Sequence, residues 1–224
     1  MRSAVGRKAA GRAWARAASW LLAAALGAAV GAGVGVGAGG SGSGGLGGAL
    51  APAPALAAAP AKAAKRADVL ALLSGFEYTP TKEELDRLGA GVETQMMSIA
   101  LDDGAWLVAR GRALALLGWY PTPAVLKFLE ERLGDGAADF YVKRYAMAGM
   151  VRGAGTAAPA RAFDALRPRL ADKDFRVREG AAYHLRDVYD PRVLGALREH
   201  LALERHAAVK PTLLESIRLV EGRE

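Results

Sequence analysis

The chain contains no cysteine. That excludes disulfides, a thiolate nucleophile, and zinc or iron–sulfur sites built on Cys. It also excludes a bacterial lipoprotein, whose anchor is an acylated Cys. Acid is missing from a whole segment: residues 1–66 hold eight basic residues and no Asp or Glu, hence +8. From Ala67 onward there are 22 basic and 23 acidic residues, hence −1, so the overall +7 belongs to the leader. A folded part near neutrality has no general bias toward nucleic acid or anionic lipid, and no nucleic-acid partner is expected. Runs of alternating β-branched residues are absent, which leaves no strand pattern. Histidine is scarce: His184, His200 and His206. There is no His-Glu dipeptide, no Gly-Lys-Ser/Thr phosphate loop and no Ser/His/Asp arrangement.

The leader has its own order. A basic stretch from Met1 to Ser19 precedes an apolar run from Trp20 to Val30, which continues through Gly and Val to Ala38. This is the order of a secretory signal, with small-residue cleavage patterns ending at Ala38, Ala57 and Ala59. The alternative is a retained membrane anchor, because no residue from Ala17 to Ala61 is charged. Against the anchor stands the glycine content: half of the 28 glycines fall within residues 1–50, and glycine is a poor helix former. The expected division is 1–38 signal peptide or anchor, 39–66 flexible Gly/Ser/Ala/Pro linker, 67–90 helical cap, and 91–224 repeat domain. The address that follows is periplasmic or secreted, or the inner membrane if the leader is retained.

The repeat is clearest at Leu170–Leu185, LADKDFRVREGAAYHL. Val177, Ala181 and Leu185 are four apart and stack on one helix face, with Asp174 at the helix start and Arg178 placed to pair with it at i,i+4. Val142, Ala146 and Met150 repeat the ladder, with Asp139 and Lys143 in the charged places; Val209, Leu213 and Ile217 repeat it again. Val108 and Leu116 are a looser copy, because Arg112 replaces the middle apolar residue. The lead valines 108, 142, 177 and 209 are 34, 35 and 32 residues apart. A second marker keeps the same beat: Thr122-Pro123, Ala158-Pro159 and Asp190-Pro191 each read as an N-cap followed by Pro at the first helical position. Two markers with one period indicate two antiparallel helices per unit. First helices are expected near 91–102, 123–133, 159–171 and 191–203, and second helices near 105–118, 137–152, 174–188 and 207–221. The fold expected is all-α, an α-solenoid of about four helix-hairpin repeats behind a short helical N-terminal cap opened by the capping box Thr81-Lys-Glu-Glu84.

The 170–185 pattern is similar to a HEAT repeat, in the short form of bacterial HEAT-like and phycobilin-lyase-type repeats. The resemblance spans roughly residues 90–221 and is strongest in the third unit. It implies an armadillo-like solenoid that presents its second helices to a partner. The family's enzymes do not transfer by motif: the His-Glu pairs of HEAT-type hydroxylases are missing, the basic surface of HEAT-like DNA glycosylases is missing, and the lyase repeat alone does not carry lyase activity.

No catalytic residue, metal ligand or cofactor is therefore expected. His200 and His206 are six apart, which does not align them on one helix face, and His184 reads as a packed histidine at the core edge. Met96, Met97, Met147 and Met150 read as core filler. The direction opposite the ladder falls two, six and nine residues after each lead valine. It projects Arg110, Arg144, Glu179, Tyr183, Arg186, Glu215 and Arg218, a mixed-charge strip suited to a protein or peptide on the concave face. Trp119-Tyr120-Pro121 is a second candidate surface, or a contact that closes a helix end. The expected function is a non-enzymatic scaffold or adaptor in the cell envelope. The alternative is an accessory lyase-type or cofactor-handling HEAT-like enzyme subunit, and a third reading is a membrane-tethered spacer.

Overall fold

Thr122-Pro123 shows how this sequence makes a helix begin. The Thr122 hydroxyl accepts the Val125 N–H at 3.2 Å, and Pro123 occupies the first turn, where a missing N–H costs nothing. In the computed structural model, which describes residues 62–223, such starts delimit ten α-helices. A cap is formed by α1 (Arg66–Leu73) and α2 (Lys82–Asp86). Four hairpins follow: α3 (Val92–Leu101) with α4 (Leu107–Leu117), α5 (Pro123–Gly134) with α6 (Phe140–Ala154), α7 (Pro159–Leu166) with α8 (Phe175–Leu185), and α9 (Arg192–Leu203) with α10 (Val209–Glu221). Among the described residues there is no strand, and no helix is long and apolar enough to cross a membrane. The signal peptide or anchor, and most of the linker, lie outside the described residues.

Two details differ from the expected boundaries. The first helix of the third unit runs only to Leu166 and continues to Ala171 as a 3-10 turn. Pro168 is the cause: it has no N–H for the carbonyl four residues back, and its ring crowds that carbonyl. Pro191 stands at the N-cap rather than inside the helix, while the Asp190 carboxylate still accepts the Arg192 N–H at 2.9 Å. Residues ahead of 67 also take part in the fold. Ala64 N–H donates to Ala90 O at 2.8 Å and Ala90 N–H to Lys62 O at 2.9 Å. Gly89 permits this contact, with φ +119° and a site where a Cβ would lie 1.9 Å from Lys62 O. The capping box at Thr81 and Glu84 forms as expected.

The Val/Ala/Leu ladders face the core. Val142, Ala146, Met150, Val177, Ala181, Leu185, Val209, Leu213 and Ile217 are all buried, as are Met96 and Met147. Arg112, the polar substitute in the first ladder, is buried too. It donates to the carbonyls of Leu73 at 2.8 Å and Gly75 at 2.5 Å, so it satisfies acceptors left open at the end of α1 and fastens the cap to the first hairpin. Helices α4 and α6 approach closely at glycines: a Cβ on Gly149 would stand 2.2 Å from Leu114 O.

The charged ladder is wired differently from the i,i+4 pairs expected. Asp139 and Asp174 cap their own helices, accepting the N–H groups of Tyr141 at 2.8 Å and Arg176 at 2.9 Å. Their basic neighbours reach forward to the next unit instead. Lys143 Nζ meets Asp172 at 2.8 Å, and Arg178 grips Glu204 through two bonds of 2.7 and 3.0 Å. Asp172 and Glu204 each stand just past the first helix of the following unit, and each also accepts the backbone N–H two residues on. Asp102 does the same in the first hairpin, accepting from Gly104 N–H and from Arg66 of α1. The reason for the rewiring is burial. A carboxylate held in a turn between units needs a cation, and the side chain above it is the one within reach.

Breaking this tie leaves a buried carboxylate without a partner. Lys143→Ala is expected to lower unfolding free energy by about 3–5 kcal/mol. Lys127→Ala, whose exposed partner Glu131 is 4.0 Å away, is expected to cost less than about 1 kcal/mol. Urea unfolding followed by far-UV circular dichroism measures both, and equal effects would refute the inter-unit role. Gly149→Ala forces α4 and α6 apart and is expected to cost about 1–3 kcal/mol in the same assay; an unchanged midpoint would show that the approach can relax freely.

Candidate functional site

The strip expected opposite the ladder is built from the second helices, and the structure divides it. At its N-terminal end it is closed. The first-unit positions six and nine residues after Val108 are Leu114 and Leu117, both fully buried, and Arg110 is held by Asp103 at 2.8 Å within its own turn. At its C-terminal end Glu215 and Arg218 are exposed and pair with each other at 2.7 Å. The middle is where side chains converge: Arg144 from α6 with Glu179, Tyr183 and Arg186 from α8, all half-buried.

Gly180 makes that convergence possible. Its Cβ position lies 3.7 Å from Arg144 Cγ and 3.8 Å from the Met147 thioether, so both side chains of α6 cross α8 where it has least bulk. One turn on, the Arg186 guanidinium lies 3.7 Å over the Tyr183 ring. Tyr183 meets the His184 ring edge-on at 5.1 Å. Glu179 accepts from the Thr212 hydroxyl at 3.5 Å, a contact that reaches the fourth unit. The sequence places Arg144, Glu179, Tyr183 and Arg186 on one strip with Arg110, Glu215 and Arg218 but does not set these four apart. The signal available was the small-residue run Gly180-Ala181-Ala182, which marks a close approach by a neighbouring helix.

His184 lies beneath this cluster, buried as expected of a core-edge histidine. Burial pushes its pKa down from 6.5 to about 3, and the nearby Arg144 and Arg186 charges push the same way. The imidazole is therefore neutral at any physiological pH, and the cluster's net charge comes from two arginines against one glutamate. Arg186 also lies 3.8 Å from Asp187, whose pKa is raised by burial. The arrangement offers one half-exposed aromatic face stacked by a guanidinium and a second guanidinium beside it. Chemically it can hold a planar group and a carboxylate.

The other histidines are used locally. His200 Nε2 lies 3.2 Å from Glu204, and the exposed His206 stacks on Phe175 at 3.9 Å while its Nδ1 accepts the Ala208 N–H. Among the described residues no three His, Asp or Glu side chains gather as a metal site. Trp119 carries the Arg152 guanidinium 4.7 Å above its ring, and the Tyr120 hydroxyl donates to Asp86 at 2.7 Å. That loop therefore closes the inter-unit contact against the cap. Two clefts lie along the first helices; one of about 570 Å³ runs between α5 and α7. Of their cations, Arg161 is spent on Glu130 and Arg192 on Asp164 and Asp190, while Arg169 donates to the Leu133 carbonyl at 2.7 Å.

No family model and no curated protein matches the chain. Among solved structures, a chain from the complex of CpcE and CpcF of phycocyanin lyase from Nostoc sp. PCC7120 superposes with a TM-score of 0.50. The match has 20% identity and covers 68% of this chain and 99% of that one. At this identity the likeness is one of fold: an all-helical repeat. It corrects one expectation. A chain of this fold belongs to a lyase complex, so the lack of a local catalytic motif does not make a chain of this architecture a non-enzyme, and the non-enzymatic reading is withdrawn.

The depressed His184 pKa carries a sign that can be measured. Unfolded, the imidazole takes up a proton near pH 6.5; folded, it stays neutral until about pH 3. The unfolded state therefore binds more protons between these values, and stability falls as pH drops through that range. Glu204, whose pKa is lowered from 4.5 to about 2 chiefly by its Arg178 bonds, adds a loss of the same sign only below pH 4.5. Between pH 6.5 and 4.5, His184→Gln is expected to flatten the decline of unfolding free energy with falling pH. An unchanged slope in denaturant titrations would show that His184 gains protons while folded.

Proposed function

We propose that this chain is a lyase-type, cofactor-handling HEAT-like subunit that works with a protein partner. The observation that carries this reading is the match to nearly the full length of a chain from a two-protein lyase complex. It is supported by the Arg144–Glu179–Tyr183–Arg186 cluster, the part of the expected strip where cations and an aromatic face meet. Two guanidiniums beside a stacked phenol ring suit an extended conjugated ligand that bears carboxylates, as a phycobilin does. In this reading the chain's own residues bind and orient: Tyr183 and Arg186 stack the planar system, and Arg144 pairs with a carboxylate. Neutral His184 supports the Tyr183 ring from beneath without adding charge. Export is a further part of the proposal and rests on the order of basic and apolar segments in residues 1–38.

The test is titration of the purified full chain with a phycobilin, read by absorbance and by quenching of tryptophan fluorescence. Saturable binding is expected. Arg144→Ala and Arg186→Ala should each weaken it by about tenfold or more, the worth of a charged hydrogen bond, while Arg110→Ala should leave it unchanged. Absence of saturable binding, or equal losses from all three variants, would refute the cluster as the ligand site.

A further inference from the structure

The second and third inter-unit joints share two contacts. The residue after the lead valine of a second helix sends a cation to the turn acid of the following unit: Lys143 to Asp172, Arg178 to Glu204. The residue five after the lead valine lies on the same face and is covered by the following unit: Ala113, Met147 and Ala182 are each 0% exposed. Helix α10 carries both features with nothing among the described residues over them. Lys210 holds the place of Lys143 and Arg178, is exposed, and meets no carboxylate among the described residues. Leu214 holds the place of Met147 and Ala182 and is 56% exposed. The two are four residues apart and so stack on one helix face. Leu203, at the turn end of α9, is 69% exposed.

We infer that the outer face of α10 is an open inter-unit joint that docks a helical hairpin of a partner subunit. That hairpin's interhelix turn presents an Asp or Glu to Lys210, and its second helix covers Leu214. This deepens the partner reading above and rests on it. Charge selects the occupant. The chain's own turn acids are taken: Asp102 by Arg66, Asp172 by Lys143 and Glu204 by Arg178, while Asp135 faces Arg132 at 3.5 Å. At the position equivalent to Asp172 and Glu204 a second copy thus has no free acid to offer, and its Asp139 caps its own helix by accepting the Tyr141 N–H. Residues 1–61 contain no Asp or Glu at all, so the leader has no carboxylate for Lys210 either. The partner must bring its own.

The experiment places the photo-crosslinker p-benzoylphenylalanine at Leu214 of the full chain, expressed in its own cells. The crosslinked peptide is then sequenced by mass spectrometry. The expected adduct lies in another protein, in a helical hairpin with an Asp or Glu in its turn. Lys210→Glu should cut its yield at least tenfold and Lys210→Arg should preserve it, with the melting temperature unchanged in both. An adduct to residues 1–61, an adduct to a second copy, no adduct, or a yield indifferent to Lys210→Glu would each overturn the proposal. The same crosslinker at Tyr183 separates the two failures. A protein adduct from Tyr183 without one from Leu214 sinks the α10 face and leaves the partner reading standing. No adduct from either position sinks both.

Discussion

The buried carboxylates of Asp172 and Glu204, each in an interhelix turn, set the geometry of the units beside them. Asp172 and Glu204 have two obligations. Each must accept the N–H groups of its own turn, and each must find a positive charge, because a carboxylate removed from water is unstable alone. The turn supplies the first, and the preceding second helix supplies the second through Lys143 or Arg178. Replacing such a pair by apolar residues need not cost stability, so its main consequence is register: a hairpin rotated or slipped by one residue would bury an unpaired acid. Where the cation is absent the joint changes character. Ala109 holds that place in α4, and Asp135 turns to Arg132 of its own hairpin. There the close approach of α4 and α6 at Gly149 holds the units instead.

This division of labour decides which surface is left for function. A cation bound between units is unavailable to a ligand, which removes Lys143 and Arg178 from consideration although they are the most regular charges in the sequence. Arg110 is withdrawn by Asp103 in the same way. What remains is the ground between ties: the Arg144–Tyr183–Arg186 cluster over the thin part of α8, and the uncovered end at Lys210 and Leu214. The first is suited to a flat ligand and the second to another helical hairpin. Both reflect the same rule, that a repeat presents chemistry where its structural duties lapse.

Chemistry built in this way has no local signature. Arg144 and Tyr183 belong to different units, and neither stands in a motif. A catalytic motif is recognisable when one stretch of chain supplies several groups at fixed spacing; a solenoid gathers its groups one per unit. That is why a sequence without any such motif pointed toward a non-enzyme, and why the fold of a lyase-complex chain overturns the inference.

The sequence by itself determined the architecture. The valine ladder and the proline starts share a period because every unit must bury one helix face and begin one helix, and both demands act within a few residues. Helix ends, the capping box and the buried methionines were legible for that reason. Pro168 marks the 3-10 turn in the same way, because it breaks the α-helical hydrogen-bond ladder. Only the tertiary structure decided which charges pair. Asp174 and Arg178 are four residues apart, and on an isolated helix they would meet. Burial at the joint made Glu204, 26 residues away, the better partner. Pairing depends on which groups lose their water, and water is lost between units, at distances that no local spacing records.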